Sequence, residues 1–200
     1  MGQITVYTGP MFSGKTNALL SAYERAAIAG KKVKAFKPTI DNRFGIDVIK
    51  SRRFGEIEAT CISSLKELKK HDAEVYIIDE FQFLEGDIKI IQDLADDKGK
   101  TFYISGLDMT AEKKPFGLMP HLLAVADKVE KFVAICNDCK EENGTYSYFL
   151  GKKDTDIVVG NHEYIPLCRK CMQKRLKQDA AQEKQLKNAP IYFSQMVINC

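Results

Sequence analysis

Residues 9–16 read GPMFSGKT, the form G-x-x-x-x-G-K-T. Glycine at Gly9 and Gly14 lets the backbone turn its N–H groups toward the oxygens of a phosphate chain. Lys15 adds a point charge, and the Thr16 hydroxyl is a ligand that Mg²⁺ accepts. The chemistry implied is the handling of a nucleoside triphosphate. A chance glycine turn at a helix start is the bland alternative, and the flanks argue against it. Ile4, Val6 and Thr8 alternate before the octet, and Leu19, Ala22, Tyr23, Ala26 and Ala27 form one helical face after it, ending at Gly30.

A second set of chemical groups stands at residues 74–80, EVYIIDE. An apolar run ending in two acids suits a buried parallel strand whose carboxyl end lies at a functional edge. Asp79 is the candidate to face a metal near the first loop. Glu80 points differently by the strand's period of two, and is the candidate general base for an attacking hydroxyl or water. Read alone, the two acids could also be solvated in a turn.

Four of the six cysteines make two C-x-x-C pairs, Cys136 with Cys139 and Cys168 with Cys171. A two-residue gap lets two thiolates of one knuckle reach one ion, and two knuckles complete a tetrahedral shell. That suits structural Zn²⁺ with no open catalytic position. The stretch 140–167 between the pairs is longer than usual, so a long loop should project from the knuckles, with strand-like segments at 146–150 and 156–159. Disulfides are the alternative, disfavoured in a chain expected to be cytosolic. Cys61 reads as a packed core thiol, and Cys200 has no partner that the sequence names.

The elements that must position these groups follow from periodicity. Residues 32–37 read as a strand, 38–45 as a loop, and 66–70 as a capped helix after Ser63 and Ser64. Ile88, Ile91 and Leu94 have helical spacing up to Gly99; residues 100–105 return as a strand, Pro120 opens a helix through Ala126, and 129–135 is a strand again. Alternating strand and helix predicts an α/β fold with a parallel, helix-covered sheet. Residues 174–187 read as a charged, solvated helix, and 191–198 as an apolar segment docking on the body or a partner subunit.

Two hundred residues, 44% hydrophobic and 28% charged, suit one globular domain plus a smaller module. No apolar run approaches the roughly 20 residues that span a bilayer. Met1, Gly2 and Gln3 run straight into a strand pattern without a basic, apolar leader, so the cytoplasm is the expected compartment and no membrane partner is expected. A net charge of +3 neither demands nor excludes nucleic acid.

Taken together, the 9–16 loop, Asp41-Asn42-Arg43-Phe44, Asp79-Glu80-Phe81-Gln82-Phe83, Leu107-Asp108 with Lys114-Pro115-Phe116-Gly117, and Tyr164 leading into Cys168-Arg169-Lys170-Cys171 resemble the cellular-type (type II) thymidine kinases. The resemblance runs in order over residues 2–172. It implies a P-loop NTPase (RecA-like) sheet over residues 1–133, a zinc-ribbon module with a lasso-like lid over 134–174, and a tail over 175–200. It implies transfer of the γ-phosphate of ATP to the 5′-hydroxyl of thymidine, with deoxyuridine also accepted, in nucleoside salvage for DNA synthesis.

By the same resemblance, Glu80 deprotonates the 5′-hydroxyl, and Gly9, Pro10, Met11, Phe12, Ser13, Gly14, Lys15 and Thr16 hold the triphosphate with Asp41, Arg43, Asp79 and Gln82. Thr16 and Asp79 hold Mg²⁺. Met11, Phe83, Leu107, Ala111 and Phe116 match the lining of the base pocket, although read blindly such apolar residues are core. Ser147 and Tyr164 match side chains near base and sugar, and Thr155, Asp156, Ile157, Val158 and Val159 match the lasso that closes over thymine. Cys136, Cys139, Cys168 and Cys171 bind Zn²⁺, which pins both ends of that lid. A homotetramer, inhibition by thymidine triphosphate and no nucleic-acid partner are further implications. Two positions depart from the pattern. Ala111 stands where an aromatic ring is frequent, and Phe81 where a small residue is usual, so Phe81 is expected to press on the adenine side, on a neighbouring helix, or into the space beside Ala111.

Two other classes compete. An ATP-driven nucleic-acid motor also carries D-E-x-Q after a phosphate loop, but it needs a second module or an arginine finger from an oligomer, and an aromatic-basic patch that this chain lacks. A kinase of another nucleoside or small acceptor is the third reading.

Overall fold

Val75, Tyr76, Ile77 and Ile78 leave no polar face for water, so the strand they form must be covered on both sides. In the computed structural model, which describes residues 2–43, 45, 47–51, 55–151 and 163–188, that strand lies inside a six-stranded sheet. The chain runs β1 (Gln3–Thr8), α1 (Lys15–Ile28), β2 (Val33–Pro38), β3 (Val48–Ser51), β4 (Gly55–Glu58), β5 (Thr60–Ile62), β6 (Val75–Ile78), α2 (Lys89–Asp96), β7 (Thr101–Gly106), α3 (Met119–Val125) and β8 (Lys128–Lys131). The sheet order is β5-β2-β6-β7-β1-β8, and every pairing in it is parallel. The smaller module follows, with β9 (Ala134–Ile135), β10 (Glu142–Gly144), β11 (Tyr146–Phe149), β12 (Tyr164–Leu167) and α4 (Arg169–Asn188).

Alternation along the strands divides the core in two. One face carries Ile4, Val6, Phe36, Tyr76, Ile78, Phe102 and Ile104 against Ile90, Ile91 and Leu94 of α2 and Met119 and Leu122 of α3. Tyr76 stacks between the rings of Phe36 and Phe102 at 5.7 and 4.9 Å, tying β2, β6 and β7 together. The other face carries Tyr7, Ala35, Val75 and Ile77 against Leu19, Leu20 and Ala22 of α1 and Ile49 and Ala59 beside the β3-β4 hairpin. Helices on both faces of a mostly parallel sheet make the α/β architecture that the alternation predicts. Among the described residues no helix is long and apolar enough to cross a membrane.

Several local expectations change. The single strand expected at 129–135 is two. β8 closes the edge of the main sheet, its last bond running from the Phe132 N–H to the Thr8 carbonyl at 2.8 Å, and β9 pairs instead with β10 of the smaller module. The helix expected at 66–70 is a 3₁₀ turn, Leu65–Lys70, closed by reciprocal bonds between Ser64 and Glu67. Ala27 is exposed in the last turn of α1 rather than facing the core. The charged helix expected from 174 begins at Arg169, so it carries Cys171. Cys61 is half-buried on the edge strand β5, opposite Lys37, and outside both core clusters. Phe44, residues 155–159, the 191–198 segment and Cys200 lie outside the described residues.

Candidate active site

The segment 9–16 joins the carboxyl end of β1 to the start of α1. Its bends need the left-handed region at Gly9 (φ 130), Phe12 (φ 62) and Gly14 (φ 90). At Gly9 a side chain is also excluded by space, since a Cβ would stand 2.3 Å from the Phe132 carbonyl oxygen. Lys15 Nζ donates to the Pro10 carbonyl at 2.6 Å, and Ser13 Oγ donates to the same oxygen at 2.8 Å. Burial lowers the Lys15 pKa, opposed by the carboxylates of Glu80, Asp79 and Asp108.

Asp79 continues the β6 ladder through its N–H to the Phe36 carbonyl, and its carboxylate turns back toward α1. Oδ2 accepts from Thr16 Oγ1 at 3.4 Å, while Oδ1 accepts from the Glu80 N–H at 3.0 Å and from the Ser105 hydroxyl. Burial, with the charge of Glu80, pushes this carboxyl up to about 6 against the pull of Ser105, the Glu80 N–H and Arg43. Thr16 and Asp79 are thus adjacent, near the spacing of about 3 Å between neighbouring oxygens around an octahedral cation with ~2.1 Å arms. Ser105 was absent from the residues the sequence singled out.

Glu80 takes a backbone conformation of φ 50, ψ 40, where a non-glycine residue is strained. The turn swings its side chain away from Asp79. Oε1 accepts from Arg43 Nη2, and Oε2 accepts from Gln82 Nε2 at 2.6 Å. Arg43 is held in turn by Asp41, whose Oδ1 accepts from Nε at 2.6 Å. Burial raises the Asp41 carboxyl, but the hydrogen bond and charge of Arg43 and the charge of Lys37 outweigh it and hold the group below the ordinary range. Burial likewise lowers Arg43, and the charges of Glu80 and Asp41 more than reverse it.

Gln82, only 3% exposed, has a role that the resemblance did not supply. Its Oε1 accepts from the Leu107 N–H at 2.9 Å, which fixes the amide's orientation and leaves Nε2 for Glu80. Gly106 and Gly117 make room for it, since a Cβ would come within 2.8 Å of Gln82 Oε1 at the first and 2.2 Å of its carbonyl oxygen at the second. One side chain therefore ties Glu80 to the loop after β7. We expect Gln82→Leu to strand the Leu107 N–H and destabilise the fold by about 1–3 kcal/mol. Urea unfolding of both proteins measures this, and equal stabilities would mean that Leu107 has another acceptor.

The loop 107–117 carries most of the apolar positions expected to line a base pocket. The Phe83 and Phe116 rings meet edge to face at 5.3 Å. Met109 and Pro115 bridge across the loop, and Ala111 sits in the turn they close, where Lys113 donates to the Thr110 carbonyl. Phe81 is fully buried, in the core cluster that also holds Leu65, Leu68, Leu84 and Ile88.

In the smaller module the sulfurs of Cys136, Cys139, Cys168 and Cys171 lie within 4.8 Å of one another, with Cys139 and Cys168 at 3.9 Å. A tetrahedron with ~2.3 Å metal–sulfur arms has edges of about 3.8 Å, so the four cysteines fit a structural metal such as zinc. Burial pushes the Cys136 thiol up, but N–H groups of Cys139, Cys168 and Asp138 bring it down to about 6. The bond to Cys168, with burial, pushes Cys171 up to about 12. Four thiolates at this spacing need a cation. Behind them pack Tyr146, Leu167 and Met172, with Met109 of the 107–117 loop against this cluster. Ser147, expected beside base and sugar, accepts from the Met11 N–H at 3.0 Å and so links β11 to the 9–16 segment. Tyr164 opens β12 with its ring 5.1 Å from Phe149.

The geometry thus gathers Lys15, Thr16, Asp79, Glu80, Arg43 and Asp41 at one end of the parallel sheet, with the 107–117 loop and the cysteine module beside them. A sequence profile of the family described as Thymidine kinase matches residues 2–172. A thymidine kinase of Pseudothermotoga lettingae is 36% identical over 178 residues, covering 86% of this chain and 96% of that protein. One from Porphyromonas gingivalis is 40% identical over 177 residues, 86% of each chain. One from Bacteroides fragilis is 38% identical over 182 residues, 89% of this chain and 90% of its own. The site and these relatives agree, and the chain belongs to the thymidine kinase family.

Proposed function

We propose that this kinase transfers the γ-phosphate of ATP to the 5′-hydroxyl of thymidine, and of deoxyuridine, in cytoplasmic nucleoside salvage for DNA synthesis. The observation that carries this reading is the Glu80 carboxylate, fixed by Arg43 and Gln82 beside the Lys15–Thr16–Asp79 group. The amide groups of the 9–16 segment and the start of α1 offer donors to phosphate oxygens. Lys15 exchanges the Pro10 carbonyl for a phosphate oxygen. Thr16 and Asp79 are the residues that would hold Mg²⁺, which neutralises the charge developing on the phosphates.

Glu80 takes the 5′-hydroxyl proton as the oxygen attacks in line. Arg43 occupies Oε1, so it serves the reaction best by turning to the phosphates once they arrive, leaving Gln82 to aim Oε2. Thymine lies against Met11, Phe83, Leu107, Ala111 and Phe116, with Ser147, Tyr164 and residues 155–159 closing over it. Residues 1–133 supply the donor site, 134–174 the metal-pinned lid, and 175–200 the tail. Inhibition by thymidine triphosphate and a homotetramer complete the proposal.

The test is product formation with each acceptor and donor in turn. Thymidine and deoxyuridine should give the 5′-monophosphate with ATP, and deoxycytidine and single-stranded DNA should leave ATP intact. Turnover stimulated by DNA and not by thymidine would overturn the reading in favour of a motor.

A further inference from the structure

Lys37 is 1% exposed, and the mechanism above leaves it without a task. It is the last residue before Pro38 on β2, on the sheet face shared with Ala35, and its ammonium reaches under the chain that leads to Arg43. Nζ donates to the Gly45 and Val48 carbonyls, both at 3.0 Å, and stands 3.7 Å from Asp41 Oδ2. An ammonium has three protons, and among the described residues these three oxygens face it. Burying a cation is costly unless it is paired, and here the two carbonyls and the Asp41 carboxylate supply the pairing.

The groups form an alternating series: Lys37, Asp41, Arg43 and Glu80, with each charge touching the next of opposite sign. Asp41 is shared between two cations, through Oδ2 to Lys37 and Oδ1 to Arg43. Lys37 also pins the carbonyls on either side of residue 47, and with them the segment that carries Arg43. We infer that Lys37 is the positioning residue for Arg43: it shares Asp41, holds the Gly45 and Val48 carbonyls, and so sets where the guanidinium stands relative to Glu80 and the phosphates. The inference rests on the assignment of Glu80 and Arg43 made above. Lys37 touches no reacting atom and acts through Arg43 alone.

Two consequences separate this role from a merely structural one. Loss of Lys37 should lower kcat rather than raise the KM for thymidine, because none of its partners lies on the 107–117 loop or the cysteine module. The loss should also vanish once Arg43 is gone. The experiment is a double-mutant cycle of Lys37→Met with Arg43→Met, with kcat and thymidine KM measured at saturating ATP. In the parental background Lys37→Met should lower kcat about tenfold or more with KM within about threefold, and in the Arg43→Met background it should change kcat by less than about twofold. The same factor in both backgrounds, or a KM effect with kcat unchanged, overturns the inference.

If Lys37→Met does not fold, Lys37→Gln replaces it in the same cycle. The introduced amide keeps N–H donors on the side of the two carbonyls, one bond shorter than the ammonium, and removes the charge facing Asp41, and the same two outcomes decide. Glu80→Gln serves as the separate control. A fully active Glu80→Gln defeats the reading of the site, whereas an inactive Glu80→Gln beside equal factors in the cycle defeats the Lys37 assignment alone.

Discussion

Glu80→Gln should lose roughly 10²- to 10⁴-fold in turnover while thymidine still binds, the range expected when a general base is removed. The substitution keeps the volume of a side chain that is part-buried between Arg43 and Gln82. It does not keep the hydrogen bonding. A carboxylate accepts from both neighbours at once, whereas the introduced amide has one accepting oxygen and would set an N–H₂ against the N–H₂ of Gln82 or against Arg43. Gln82 cannot simply turn over, because its own oxygen is committed to the Leu107 N–H at 2.9 Å. A modest loss of stability should therefore accompany the loss of turnover, and rapid-quench measurement of the chemical step separates the two. Turnover within about threefold of the parent would remove Glu80 from the role of base.

The parts legible in the sequence are those whose partners are close along the chain. The glycine positions of 9–16, the buried run at 75–78 with its two terminal acids, and the two-residue gaps between cysteines all express local constraints, and all appear where the spacing places them. The contacts that give Glu80 and Asp79 their setting are not local. Ser105 reaches Asp79 across 26 positions, Leu107 reaches Gln82 across 25, and Ser147 meets Met11 across 136. The first two pairs exist because β7 lies beside β6, the third because the smaller module sits against the 9–16 segment, and neither placement is written in periodicity. Gln82 illustrates the limit. Its segment was legible as part of a nucleotide site, but its task, holding Glu80 with one end of an amide and the next loop with the other, depends on which strand lies beside β6. Lys37 is similar, since its neighbours in the strand do not show that the Gly45 and Val48 carbonyls face its ammonium. The β3-β4 hairpin was missed because its strands are short and charged, with no alternation strong enough to separate them from a loop.

The other large effect concerns the four cysteines. One Zn²⁺ per chain is expected by elemental analysis, falling to background when Cys168→Ser is combined with Cys171→Ser. Among the described residues the apolar core of this module is small, with Tyr146, Leu167 and Met172 the buried side chains besides the cysteines. At about 1.5–3 kcal/mol for each large side chain buried, that core supplies less than the ~10–16 kcal/mol apparent contribution of a structural zinc in small zinc modules. Among the described residues, the side-chain ties of Arg175 with Asp138 and of Tyr148 with Asp179 are made near the surface and contribute little in water. Without metal, β11 and β12 should therefore loosen, and with them Ser147 should leave Met11. The donor site stands on β1, β6 and α1, whose core packing does not involve the cysteines, and among the described residues it loses the Ser147 contact with Met11. Thymidine affinity should fall well before ATP affinity does, and titration calorimetry with each ligand on the chelated protein reads both. Equal losses for the two would mean that the cysteine module supports the whole site rather than the acceptor side of it.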